Sequence, residues 1–449
     1  MPQNFIECDR DQELLLPPSM REWLPDDHLA WFVADAVAEM DLAAFYGAYR
    51  EDGWGRAAFE PQMMVALLLY AYAVGERSSR GIERRCREDV AFRVLAANQI
   101  PDHATIARFR ARHEQALADT FTGVLALCAK AGLVSVGVVA LDGSLISANA
   151  SAAATRAYPE IRAEVERMLE EAAATDERED AELGEARGDE LPAELSDRRS
   201  RRERLRRCRE ELEADHAAEL RSHEEHLESR AAWEAEHGRK LTGRKPAPPS
   251  EDALQKAKIN TTDPDSRPLM RAGTSLIQGY NAQVVAASGQ VILAADLTQS
   301  PVDSTELTSM VDKAGEELRA AGVEEPIGTL LADGGYWSAP QIAAIREQGT
   351  EVIVPTRNAR RTKPRKLAAK QGPEAQRIEK ILATPEGKAL YRRRQQIVEP
   401  VFANTKFIRG ATRFQRRGLS ACRAEWKLLA ATHNLLKLWR AGLARPAPA

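Results

Sequence analysis

Val136-Gly-Val-Val-Ala-Leu-Asp-Gly-Ser-Leu-Ile-Ser-Ala-Asn-Ala-Ser151 is the stretch on which the reading of this chain turns. Its first half is apolar and β-branched, as a strand buried in a sheet requires. The run breaks at Asp142, so a strand ending there delivers one carboxylate to the rim of a core. A desolvated charge in that position needs a partner. Two readings stay open on this stretch alone. Asp142-Gly143 between apolar runs is a hairpin-turn signal, and a carboxylate at a strand end is also a metal ligand. What decides between them is whether the rest of the chain brings further carboxylates to the same place.

With 449 residues, 44% of them hydrophobic, the chain can build two or three domains. Its formal charge of -4 says nothing about a nucleic-acid partner, but the charges are unevenly spread. Arg357 to Arg445 holds 23 Lys and Arg against 5 Asp and Glu, whereas Glu160 to Glu190 holds 13 acids against 4 Arg. The five cysteines, Cys8, Cys86, Cys128, Cys208 and Cys422, are scattered and form no C-x-x-C pair, which argues against a disulfide framework and against structural zinc. Cys8-Asp-Arg-Asp11 stands where a signal peptide needs apolar residues, and the longest apolar stretch, Met63 to Val74, is too short to span a bilayer. A soluble protein of a reducing compartment is expected.

Residues 1–15 read as an irregular lead-in, and 16–133 as a helical N-terminal domain. Pro61 suits the first turn of a helix, Ser78 or Ser79 the cap of the next, and Asp102 the cap of a third. Two short helices, a turn, and Arg108, Arg110 and Arg112 outside the last of them resemble a helix-turn-helix that holds DNA. A solvated arginine face is the plainer alternative. Residues 153–257 read as a helical or coiled-coil insertion, with Leu205, Leu212, Leu220 and Leu227 near heptad spacing and an acidic run, Glu177 to Glu190, poor in apolar anchors.

Residues 134–152 and 258–440 read as one α/β core, and 441–449 as a disordered tail. Gly279 to Ala287 and Gln290 to Asp296 form strands joined at Ser288-Gly289, and a helix follows from about Asp303, read as its N-cap. Ile327 to Asp333 is a second buried strand ending on a carboxylate. A helix, a strand at Glu351 to Pro355, a basic loop from Asn358 to Lys370 and closing helices complete the chain. Omitting the insertion, this is the element order of an RNase H-like mixed-sheet core, in which the strands of Asp142 and Asp333 lie side by side and Glu399 approaches on a later helix. Three such carboxylates suit two divalent hard cations about 3.5–4 Å apart, the arrangement for in-line phosphoryl transfer. The plainer readings are a turn at Asp333-Gly334-Gly335 and a helix-terminal charge at Glu399. Asp263, Asp265, Asp296 and Asp303 are competing carboxylates, ranked below Asp142 and Asp333.

Eight blocks in order carry a family resemblance: Pro61 to Tyr72, Arg77-Ser-Ser-Arg80, Pro101 to Arg110, Ala140-Leu-Asp-Gly-Ser144, Asp263-Pro-Asp-Ser-Arg267, Gln278-Gly-Tyr-Asn-Ala-Gln283, Leu331-Ala-Asp-Gly-Gly-Tyr336 and Ile397-Val-Glu-Pro-Val-Phe402. The chain resembles bacterial insertion-sequence transposases of the DDE type, with a helical N-terminal transposase domain ahead of an RNase H-like core. The resemblance implies Asp142, Asp333 and Glu399 as catalytic metal ligands and Tyr391, Arg394 and Lys406 as DNA contacts from the family's Tyr, Arg, Glu, Lys signature. The step of seven residues from Glu399 to Lys406 fits that signature, while the step of five from Arg394 to Glu399 is one longer than usual. It further implies Mg²⁺, with Mn²⁺ as a substitute, double-stranded DNA as substrate at terminal inverted repeats and target, a homodimer, and a bacterial cytoplasmic, nucleoid-associated location. The alternatives are a non-catalytic DNA-binding protein derived from a transposase and a metal-dependent nuclease.

Overall fold

A computed structural model describes residues 19–49, 57–168, 193–241, 245–250, 252–270, 276–356 and 372–443. The expected lead-in at 1–15, the acidic run Glu177 to Glu190, the basic loop Asn358 to Lys370 and residues 444–449 of the expected tail lie outside them. The chain divides into two compact units: residues 1–146, 281–416 and 420–449 form the first, and 147–280 with 417–419 the second.

The first unit begins with seven helices: α1 (Leu29–Ala38), α2 (Ala43–Tyr46), α3 (Pro61–Ala73), α4 (Ser79–Glu88), α5 (Val90–Leu95), α6 (His103–Arg112) and α7 (Glu114–Lys130). Side-chain caps set their starts. Glu60 accepts from Met63 N with Pro61 at the first helical position, Ser78 accepts from Gly81 N, and Asp102 accepts from Thr105 N. Every residue of α3 from Met64 to Ala73 is buried, because an apolar helix without a polar face must sit inside its neighbours.

The sheet follows. β1 (Val138–Ser147) pairs in parallel with β7 (Thr329–Ala332), and β7 pairs in parallel with β8 (Glu351–Ile353). On the other side of β1 lies β5 (Leu276–Ala287), whose residues from Asn281 onward pair antiparallel with β6 (Ile292–Thr298). This is the mixed α/β, RNase H-like order expected, with the strands of Asp142 and Asp333 adjacent. One expectation is corrected. β1 does not end at Asp142 but runs on to Ser147, so the aspartate stands within a strand.

Helices α11 (Leu307–Ala320) and α12 (Ala339–Glu347) connect the strands, and α13 (Pro373–Ala383), α14 (Pro385–Ala403) and α15 (Leu419–Leu443) follow. Helix α15 docks on the antiparallel strands: Trp426 donates to Gln283 O, and Asn434 bonds both the N–H and the carbonyl of Ile292. It reaches Leu443, so residues 441–443 of the expected tail are helical.

In the second unit β2 (Thr155–Ala157) pairs antiparallel with β3 (Lys258–Asn260), and β4 (Arg267–Met270) pairs with the first residues of β5. A helix at 158–168, labelled α8, packs Tyr158, Ile161 and Val165 against Leu205, Cys208 and Leu212 of α9 (Ala193–His237), with Ile259 of β3 closing the cluster. Helix α10 (Ala253–Lys256) precedes β3. The heptad leucines are buried only over the first half of α9, since Leu220 is 40% exposed. No helix among the described residues is long and apolar enough to cross a membrane.

Candidate active site

Asp142 follows Leu141 on β1, and Asp333 follows Ala332 on β7. Leu141 and Ala332 are partners in the parallel ladder, so the next residue of each segment carries a carboxylate to the same level, where β7 ends and β1 runs on. Both acids are partly buried. Asp142 Oδ1 accepts from Gly143 N at 2.9 Å, and its Oδ2 accepts from Arg394 Nη1 at 3.0 Å. Asp333 caps the short turn Gly334–Tyr336 by accepting from Gly335 N at 2.6 Å. Burial pushes the Asp142 carboxyl up to about 6, the Arg394 guanidinium opposes that rise, and Asp333 adds to it. Burial works against the charge on Arg394, but Asp142, Tyr391 and Asp333 more than offset it and raise its pKa.

A third carboxylate stands at this pair. Asp303 was expected to cap the helix after it. That expectation is corrected, since Glu306 occupies the N-cap of α11 and Val302 that of the 3₁₀ turn Asp303–Thr305. Asp303 Oδ1 instead accepts from Asn281 Nδ2 at 2.7 Å and Gln283 Nε2 at 3.0 Å, two amides on the same face of β5. Gln283 accepts in turn from the buried Tyr336 hydroxyl. The amide of Gln283 is therefore oriented by its partners, carbonyl toward the phenol and NH₂ toward the carboxylate. Burial, then Asp303, Asp142 and Asp333, push the Tyr336 hydroxyl well above its ordinary pKa, so it remains a donor.

Two glycines allow this approach. A Cβ on Gly143 would lie 2.5 Å from Gln283 Nε2 and 3.0 Å from Asp303 Oδ1, so β1 can pass the amide face only without a side chain there. A Cβ on Gly335 would lie 2.8 Å from Asp333 Oδ1 and 3.2 Å from Asp303 Oδ2. The glycine leaves open a point that faces one oxygen of each carboxylate. Hard oxygen donors around an opening of this kind fit Mg²⁺ or Mn²⁺. Among the described residues, no three His, Cys, Asp or Glu side chains already stand close enough to hold a metal ion between them.

Helix α14 flanks the pair. Tyr391 donates to Ala332 O at 3.3 Å, the carbonyl just before Asp333, and Arg394 reaches Asp142. The Glu399 side chain is exposed and makes no hydrogen bond or ion pair to a described residue, so the structure brings Asp142 and Asp333 together without it. Pro400 lies within the helix, where its missing N–H frees the Gln396 carbonyl to accept from Gln290 Nε2 at 3.0 Å. A π turn follows at Asn404–Ile408, and the inserted residue swings Lys406 inward. Lys406 is buried and donates to Leu145 O at 2.8 Å and to Ser144 Oγ, both on β1 beyond Asp142.

The three arginines of α6 divide. Arg108 is exposed and donates to Thr105, and Arg112 is exposed over the Tyr49 ring. Arg110, expected outside, is buried. Its guanidinium is taken up by Tyr72 Oη, Arg77 O and Ser79 Oγ, because it lies on the inward face with Ile106. Sequence reasoning also missed Asn281, Gln283 and Tyr336. The signal for the amides was their spacing of two residues in a strand.

The Transposase domain (DUF772) family model matches residues 18–112, and the Transposase DDE domain model matches residues 355–439. No curated protein and no solved structure matches. The second match contains Tyr391, Arg394, Glu399 and Lys406, while the strands of Asp142 and Asp333 lie between the two. A transposase domain in the N-terminal helices and a DDE domain at the C-terminal end together support an insertion-sequence DDE transposase.

Proposed function

We propose that the chain cuts DNA strands at the ends of an insertion sequence and transfers the freed 3′ ends to target DNA, in a metal-dependent reaction. The observation that carries this reading is the pair Asp142 and Asp333, two carboxylates at neighbouring parallel strands, with Asp333 raising the cost of charge on Asp142. Such a pair is relieved by a shared cation. Asp333 and Asp303, whose oxygens flank the Gly335 opening, would hold it together with Asp142 on β1, and Glu399 would complete the set from α14. Mg²⁺, or Mn²⁺ in its place, would supply there activation of the attacking oxygen and stabilisation of the leaving 3′-oxygen.

The chain's own groups do the rest. Arg394 favours the ionised form of Asp142 and with Tyr391 contacts phosphates beside the cut, whereas Lys406, buried and bonded to Leu145 O and Ser144 Oγ of β1, leaves that set. Arg108 and Arg112 hold the duplex through its backbone. Arg110 leaves this set, because its guanidinium is already committed inside the helical domain. Joining two ends calls for two copies of the chain, hence a homodimer on the DNA, acting at the nucleoid in the bacterial cytoplasm.

The test is strand cleavage with Mg²⁺ on a plasmid carrying the DNA that flanks the gene, for wild type and Asp142→Asn. Cleavage by the wild type alone is expected. DNA bound but left uncut by both would favour a non-catalytic DNA-binding protein, and cut ends that are never joined would favour a nuclease.

A further inference from the structure

The second unit carries an open pocket of about 380 Å³ that the catalytic site does not use. Three arginines from distant parts of the chain line it: Arg156 on β2, Arg204 on α9 and Arg417. Thr261, Thr262 and a single acid, Glu164, complete the polar wall, and Glu164 already has Arg167 at 3.7 Å. Three arginines therefore border one pocket whose wall holds the single acid Glu164, with the buried Asp263 in electrostatic reach of Arg417.

The backbone beneath each arginine is fixed. Arg156 sits in the β2–β3 ladder opposite Ile259. Arg204 precedes Leu205, which is locked in the apolar cluster of α8, α9 and β3. Arg417 is held by a clamp: Gly418 N donates to Asp263 Oδ1 at 3.1 Å, Leu419 N donates to Asp265 Oδ2 at 2.7 Å, and Arg417 Nε donates to Asn149 O at 2.9 Å. Asp263 is fully buried, and its Oδ1 also accepts from Tyr280 Oη at 2.8 Å, so the clamp is itself anchored. Gly418 takes a left-handed φ of +85° at this point, which a side chain would strain.

We propose that this pocket binds a phosphodiester of the DNA backbone, which makes the second unit a DNA-holding module. The inference rests on the transposase reading. Guanidinium groups match phosphate geometry with paired N–H donors, and threonine hydroxyls are common phosphate contacts. Contacts of this kind position a strand without reading its bases.

The test measures anisotropy of a labelled duplex of arbitrary sequence bound to the full chain, in KCl from about 50 to about 300 mM, where the slope of log affinity against log salt counts neutralised phosphates. The Arg156→Gln, Arg204→Gln, Arg417→Gln triple variant is expected to flatten that slope by about 0.9 for each phosphate lost. Arg204→Glu, at an exposed side chain, is expected to act in the same direction with the fold intact by circular dichroism. Arg319→Gln, an exposed arginine of the first unit, is expected to leave the slope unchanged. A triple variant with the wild-type slope overturns the proposal, as does an equal loss for Arg319→Gln. Loss of inorganic phosphate binding by calorimetry without a change in the DNA slope overturns it in favour of a free anion. If the wild type cuts DNA with Mg²⁺ while the triple keeps its slope, only the pocket assignment falls; if the wild type does not bind DNA, the transposase reading falls with it.

Discussion

Replacing Asp142 by asparagine should stabilise the metal-free protein at neutral pH, although it removes a residue the reaction needs. Burial and Asp333 raise the Asp142 carboxyl from its ordinary 3.8 to about 6 against the pull of Arg394. A folded state with a raised carboxyl pKa holds its proton more tightly than the unfolded chain. The favourable contribution is thus complete below about pH 3.8 and lost as pH rises through about 6. The displacement of about 2 pH units corresponds to roughly 3 kcal/mol of penalty for the ionised form at neutral pH. The value of about 6 already contains the pull of Arg394 at 3.0 Å, so asparagine, neutral at every pH, removes the whole penalty. The net expectation is a gain of about 2–3 kcal/mol at about pH 7.5 that vanishes near pH 4. Urea unfolding followed by tryptophan fluorescence reads it, since Trp233 is the only one of the 7 tryptophans in the second unit. A variant less stable than wild type at neutral pH, or a difference that does not change with pH, would refute the reasoning.

Three further outcomes follow from the same geometry. Gly335→Ala places a methyl group at the point shared by Asp333 and Asp303, and Mg²⁺ affinity measured by calorimetry should fall at least about tenfold with the fold retained; unchanged affinity would mean that the cation lies elsewhere. Gln283→Leu leaves the buried Tyr336 hydroxyl without its acceptor and Asp303 without a donor, which should cost about 1–3 kcal/mol in urea unfolding. Glu425→Ala leaves Arg77 buried without its counter-charge, the two side chains being 7% and 0% exposed, and should destabilise by about 3–5 kcal/mol, with Glu425→Gln costing less.

Much of the site could be read from local chemistry. Pro61, Ser78 and Asp102 are helix starts in sequence because their caps are formed within three residues. The apolar runs leading to Asp142 and Asp333 announce adjacent buried strands for the same reason, a local pattern with one geometric consequence. What failed depended on distant partners. Asp303-Ser-Thr-Glu306 imitates a capping box, yet the amides that claim Asp303 lie on β5, some twenty residues earlier. Asp142-Gly143 imitates a turn, yet the glycine is there so that a continuing strand can pass Gln283. Arg110 has the spacing of an exposed basic stripe, and only the packing of α6 against α4 turns it inward. Lys406 keeps its distance from Glu399 in sequence, but it sits within the π turn Asn404–Ile408 and is bonded to β1.

The most direct measurement exchanges the ligand atom itself. Asp142→Cys and Asp333→Cys put a soft thiolate where a hard carboxylate stood, and thiolates favour softer cations than Mg²⁺. In a strand-cleavage assay on the flanking DNA, both variants should be inactive with Mg²⁺ and regain cleavage with Mn²⁺, while the wild type cuts with either. Equal activity of the variants with both cations, or a wild type that binds the DNA and never cuts it, would contradict a cation held between these two strands.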